Sequence, residues 1–221
     1  TMQAKGGTLQ VTGNWDNTGG TMQALNGSIL ELGGTVTGGE VKVSNNGHLT
    51  LNGGARFTGG LPKIDGTAEV QGWGGRLENI TLGSGSQMNV VPKAMIELSG
   101  ALDNRGEVVL DQSAAYLMGE TTLGGIGKIT LKNGYLSTDR YGGDLYSYSG
   151  RRLINTAGHT ISGSGNVIGY ITNEGLIEAN DASKPLAVDG YRNDNYGEKT
   201  FNRGTMQAKG GTLQVTGNWD N

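Results

Sequence analysis

The sequence predicts an all-β chain wound as a parallel β-solenoid with coils of about 20 residues. Three observations carry the prediction. Residues 1–20 read TMQAKGGTLQVTGNWDNTGG, residues 21–39 TMQALNGSILELGGTVTGG, and residues 40–60 EVKVSNNGHLTLNGGARFTGG. Each stretch opens on a short alternating run, turns at glycine, runs a second alternating stretch and closes on Thr-Gly-Gly. Alternation has period 2, which means strands with one buried face. Runs of this length, punctuated by Gly and Asn, are too short for helices. Composition agrees, with glycine at 42 of 221 residues and proline at only 3.

The elements follow in chain order. Met2, Met22 and Val41 superpose as one apolar column, and Ala4, Ala24 and Val43 as the next. Leu9, Leu30 and Leu49 form a third, and Val11, Leu32 and Leu51 a fourth. One coil cannot bury such a face alone, whereas stacked coils bury it together. Further along, Ile80, Leu82, Met88, Val90, Ile96, Leu98, Val108, Leu110, Ile129, Leu131 and Ile161 continue the pattern as candidate core. Asn-x-Gly ahead of a strand recurs at Asn104, Asn173 and Asn202, and Asn17-Thr18-Gly19 leads into Thr21-Met22 in the same way. Glycine supplies the positive φ of a turn and Asn tolerates it, so the motif reads as a corner between stacked strands. Its Asn side chains are placed to stack as ladders between coils.

Two segments break the rhythm and read as loops thrown out of the solenoid, residues 135–152 and 181–200. The first carries Tyr141, Tyr146, Tyr148, Arg151 and Arg152, which are the candidate ligand-binding residues. Tyrosine with arginine offers rigid area plus hydrogen bonds, suited to a sugar ring or a protein surface. The competing reading is a loop folded back to cover apolar strand. The second segment offers Asp181, Asp189, Asp194 and Glu198 as weak calcium candidates. No metal-ligand spacing is present, and no cofactor is expected. His48 and His159 lie far apart in strand-flanking turns and read as surface histidines.

The chain ends as it begins. Thr1–Asn17 and Thr205–Asn221 are identical at all 17 positions, 204 residues apart. This reads as one repeat unit, residues 1–204, followed by the start of the next at 205–221, and it favours reach, avidity or scaffolding. The alternative is a duplication of the N-terminal segment alone. Asn202-Arg203-Gly204 runs straight into the second copy, so the superhelix is expected to continue across the seam.

Composition limits the function classes. A net charge of −3 with interspersed signs argues against nucleic acid as the main partner. No apolar stretch is long enough to span a membrane as a helix. An enzyme is not expected, because glycoside hydrolysis needs paired carboxylates. The best candidates, Asp103 and Asp139 with Arg140, sit in no recognisable motif.

The runs Ile154–Gly165, Ile171–Asn180 and Phe201–Val215 resemble the β-helical repeats of filamentous-haemagglutinin-type adhesins, autotransporter passenger domains and related giant bacterial exoproteins. The resemblance implies a right-handed parallel β-helix, export to the cell surface or medium, and adhesive or matrix-building roles. It carries no catalytic residues over. The partners expected are adjacent copies of the same repeat, with glycans or other cell-surface molecules. The alternative function is a carbohydrate-binding or polysaccharide-degrading β-helix module.

Overall fold

A computed structural model describes residues 1–138, 151–191 and 199–221. Every helix-or-strand element among them is a strand, 26 in all, and every strand pairing is parallel. The strands stack as a β-solenoid of about ten coils with three faces. The first coil lays Met2–Lys5 on face 1, Thr8–Val11 on face 2 and Asn14–Asp16 on face 3. The chain then returns to face 1 with Thr21–Leu25. Midway along the solenoid some strands run round a corner without a break. Met95–Asn104 covers face 3 and then face 1, with the register shifting between Leu98 and Gly100.

The apolar columns stand in the register their alternation predicts. Met2 pairs with Met22 and Met22 with Val41, while Leu9 pairs with Leu30 and Leu30 with Leu49. Met22, Leu30, Leu49, Val41 and the rest of the predicted core columns from Ile80 to Ile161 are buried. These side chains fill one continuous core inside the winding. Each fully buried Leu, Ile or Val contributes roughly 1.5–3 kcal/mol relative to exposure. Parallel ladders with the apolar side turned inward leave the polar alternates for solvent, as on Glu40–Ser44, where Val41 and Val43 are buried and their neighbours are not.

Two boundaries move. Tyr135–Ser137 does not belong to a loop. It ends the strand Lys128–Ser137 and pairs with Ala114–Tyr116 below and Asn166–Ile168 above. Likewise Leu186–Gly190 is a face 3 rung, paired with Gly165–Gly169 and Leu213–Gly217. Tyrosines and charges obscured the first strand, and a run of polar residues on both sides obscured the second. The coil step does lengthen at both places. Thr121 pairs with Leu153, a step of 32 residues, and Thr172 with Phe201, a step of 29, where Met22 to Val41 takes 19.

The Asn-x-Gly corners are not all one corner. Asn104, Asn173 and Asn202 close face 1 strands and lead to face 2. Asn17 closes face 3 and leads to face 1. The consequence appears in the duplicated segment. Its first copy occupies faces 1, 2 and 3 in turn. In the second, Thr205–Ala208 lies on face 2, Leu213–Gly217 on face 3 and Trp219–Asp220 on face 1. Seventeen identical residues therefore fit two placements one face apart. Local geometry is the same in both, since Trp15 Nε1 donates to the Thr12 carbonyl at 2.7 Å and Trp219 Nε1 to the Thr216 carbonyl at 2.8 Å.

Close stacking also explains two glycines of the Ser162–Gly165 run. Gly163 and Gly165 have φ of 113° and 118°, and a Cβ on either would run into the carbonyl oxygen of the coil below, Leu131 or Gly134. They are there for close backbone approach.

Candidate functional site

A groove runs along the corner between faces 2 and 3, across coils four to seven. Trp73, Lys93, Met95, Gln112, Tyr116, Asn133 and Tyr135 line it together with Ala94, Ser113 and Ala114, enclosing about 570 Å³. Each coil supplies its share from the same corner, so residues about 20 apart in sequence become neighbours. Trp73 projects between Gly72 and Gly74 and is 70% exposed. Tyr116 and Tyr135 are half-buried, with ring centroids 6.1 Å apart and planes inclined at 54°. The floor is stiff. Lys93 N donates to Gln112 O, Gln112 N to Lys132 O, and Tyr135 N to Ser113 O, at 2.9–3.0 Å. The Ser113 hydroxyl donates inward to Val90 O at 2.9 Å.

Three groove residues hold the left-handed backbone conformation. Lys93, Gln112 and Asn133 have φ of 67°, 45° and 56°. In coil three the same turn, closed by Ala55 N on Asn52 O, carries Gly54 at φ 82°. The coil five turn is closed by Ala94 N on Val91 O and puts Lys93 at that position. Coil four uses Gly72 and Gly74, both at positive φ. Coils five and six thus keep side chains where glycine would relieve strain of about 1–2 kcal/mol per residue, while coil seven places there an Asn, which tolerates the conformation. The lining offers ring faces, two amides, hydroxyls and one ammonium, with no carboxylate among the described residues.

The corner between faces 1 and 2 holds a buried amide ladder. Asn155 Nδ2 donates to Asn173 Oδ1 and Asn173 Nδ2 to Asn202 Oδ1, both at 2.8 Å. Coil seven has Gly124-Gly125 at this corner and no amide. The imidazole of His159 spans the gap, with Nδ1 2.8 Å from Asn155 Oδ1 and Nε2 3.1 Å from Asn104 Nδ2. His159 is fully buried, which corrects its reading as a surface residue. A one-residue turn rule does not register a ring folded under the corner. His48 does lie at the surface, against the Thr67 hydroxyl at 2.8 Å.

The sequence candidates are placed as follows. Tyr141, Tyr146, Tyr148, Asp139, Arg140, Asp194 and Glu198 lie outside the described residues. Arg151 and Arg152 are half-exposed where the chain re-enters face 1. Arg152 donates to the Thr172 hydroxyl and the Lys199 carbonyl, each at 3.0 Å, so it ties three coils together. Asp189 accepts from the Thr216 hydroxyl at 3.0 Å. Asp181 accepts from the Ser183 hydroxyl and amide and from the Ser164 hydroxyl, which holds its carboxyl down to about 2. Asp103 faces Arg105 at 3.4 Å. Among the described residues no three acidic, His or Cys side chains gather as a metal site. The groove was missed because its residues come from four coils. Its trace in the sequence is the coil-length spacing of Lys93, Gln112 and Asn133.

Fold and site together define a parallel β-solenoid with an aromatic corner groove. No protein-family model and no curated protein sequence matches the chain. Among solved structures it is similar to a crystallised fragment of TibA, hyper-glycosylated by TibC. The identity is 16%, covering 98% of this chain and 94% of that one, with a TM-score of 0.26.

Proposed function

We propose that the chain is a structural and adhesive repeat of a long extracellular or bacterial cell-surface fibre, stacking end to end and presenting its outer surface for adhesion. The observation that carries this reading is the duplicated segment. Its second copy pairs rung for rung with the coil beneath, Leu176 with Thr205 and Leu186 with Leu213, and Thr205 N bonds to Gly175 O at 2.9 Å across the seam. A repeat that continues the ladder of its predecessor extends a rod without a linker. Adhesive use follows from the same arrangement, since identical sites in series raise avidity without new contacts. On this reading the partners are further copies of the repeat and molecules of a cell surface, and the chain needs no cofactor.

Polypeptides carrying one, two and four copies of residues 1–204 test it. Small-angle scattering is expected to show a rod lengthening linearly with copy number, and binding to cells to rise more steeply than copy number. Independent beads on flexible connections would defeat the stacking half of the proposal. Cell binding that stays absent at four copies would leave a mechanical spacer.

A further inference from the structure

We propose that the groove between faces 2 and 3 binds a linear, neutral oligosaccharide lying across coils four to seven. The proposal rests on the adhesive half of the reading above and is independent of the array.

A pyranose has C–H faces that stack on aromatic rings and a hydroxyl rim that bonds to amides. The groove supplies both, on rings that step from the corner onto face 3, since Tyr135 lies opposite Ala114 and Tyr116 opposite Ser137. Trp73 stands in coil four, Tyr116 in coil six and Tyr135 in coil seven, and coils are about 4.8 Å apart. Rings therefore recur over coils four to seven on a slant from the corner, a spread that an extended chain of sugar rings can follow and a compact ligand cannot. Gln112 and Asn133 bring amides to the same rim, exposed to solvent. An exposed Trp contributes little to folding, and at Trp73 both neighbours are glycines at positive φ that free it to project.

The strained turns point the same way. Lys93, Gln112 and Asn133 carry side chains in a conformation that glycine adopts freely in coils three and four, and all three line this groove. Asn adopts this conformation elsewhere in the chain, as at Asn26 and Asn79, so the strain that calls for a reason is kept at Lys93 and Gln112. The volume of about 570 Å³ lies within the ~300–1,000 Å³ range of ligand sites. Lys93 is the only cation in the lining among the described residues, which gives a polyanionic glycan one charge partner there. Among the described residues no carboxylate lines the groove to form the acid pair that hydrolysis needs, and the groove is assigned binding. Its backbone-bonded floor is preorganised, which limits the ordering cost of binding a flexible chain.

The test uses the 221-residue chain with a panel of neutral hexasaccharides (cellohexaose, xylohexaose, mannohexaose, maltohexaose) and hexagalacturonate as the anionic arm, followed by titration calorimetry. Saturable binding of at least one neutral hexasaccharide is expected, with its disaccharide much weaker. Trp73→Ala is expected to weaken binding about tenfold or more, on the scale of one stacked ring. Lys93→Gly and Asn133→Gly remove side chains without straining the turn and should weaken binding while unfolding cooperatively as the parent does. No saturation by any neutral hexasaccharide, unchanged affinity in Trp73→Ala, or binding confined to hexagalacturonate would each overturn the assignment. Rod growth with copy number is indifferent to all three results, so this failure and that of the fibre reading are separable.

Discussion

His159 has its tautomer dictated by two amides. Asn104 Nδ2 also donates to Lys128 O, and Asn104 Oδ1 accepts from Gly106 N, each at 3.0 Å, so the amide cannot turn round. Nε2 must therefore be the bare nitrogen, and Nδ1 donates to Asn155. A second proton on Nε2 would confront the NH₂ of Asn104 inside the core. Burial accordingly pushes the imidazole down to about 4 from an ordinary 6.5. The unfolded chain takes up this proton below about 6.5 and the folded one only near 4. Stability from this group is thus complete above pH 6.5 and falls as pH drops toward 4, by about 3 kcal/mol in total. Denaturation midpoints of the parent should decline between pH 6.5 and 4.5. Those of His159→Gln, which keeps an amide but cannot titrate, should start lower and stay flatter over that window. Parallel pH profiles for the two proteins would show that His159 is not the sensor.

Strands and corners differ in how openly the sequence declares them. The buried columns were legible because a face packed on one side imposes strict alternation, and Met22, Leu30, Val41 and Leu49 obey it. The face on which a strand lies was not legible. Three faces of similar length present the same apolar–polar alternation to the same core, so Asn17-Thr18-Gly19 and Asn202-Arg203-Gly204 look alike while turning different corners. Tyr135–Ser137 and Leu186–Gly190 were hidden by neighbours that read as loop, because a rung three to five residues long carries little periodic signal of its own. The groove left only a spacing, since coil stacking assembles it from four turns. The amide ladder was legible as a motif, and its energetics can be tested. Asn173 accepts from Asn155 and donates to Asn202 and to Thr205 O. Asn173→Ala leaves the buried Asn155 amide short of an acceptor, and should cost about 2–3 kcal/mol. Asn173→Asp restores the acceptor for Asn155 yet buries a charge against Asn202 Oδ1, and should do no better at neutral pH. Urea melts of both variants check this, and an unperturbed Asn173→Ala would mean that the ladder only decorates the corner.

At the scale of the whole molecule, the two placements of the duplicated segment set a pitch. Met2 lies on face 1 of the first coil and Met206 on face 2 of the tenth, each in parallel register with its neighbour. The 204 residues from one copy to the next therefore advance the winding by nine coils and one face, not by a whole number of coils. In an array built on this step, every surface feature turns by a third of a revolution from one repeat to the next. It also rises roughly 45 Å at about 4.8 Å per coil. The outer surfaces would then face three directions in rotation and realign every three repeats, which suits a fibre that meets its target from any side. The step follows from the sequence physics, since TMQA alternates as well on face 2 as on face 1 and the corner ahead of it decides which face it joins. The chain contains no cysteine, so Ile126→Cys, at a position 80% exposed, provides a single labelling point per repeat. Electron microscopy of gold-labelled four-repeat rods should show labels spaced by about 45 Å and alternating around the axis, with the first and fourth on one side. Labels in a single straight row would mean that the second copy returns to face 1 when a full repeat follows it, and that the one-face step belongs to the isolated unit.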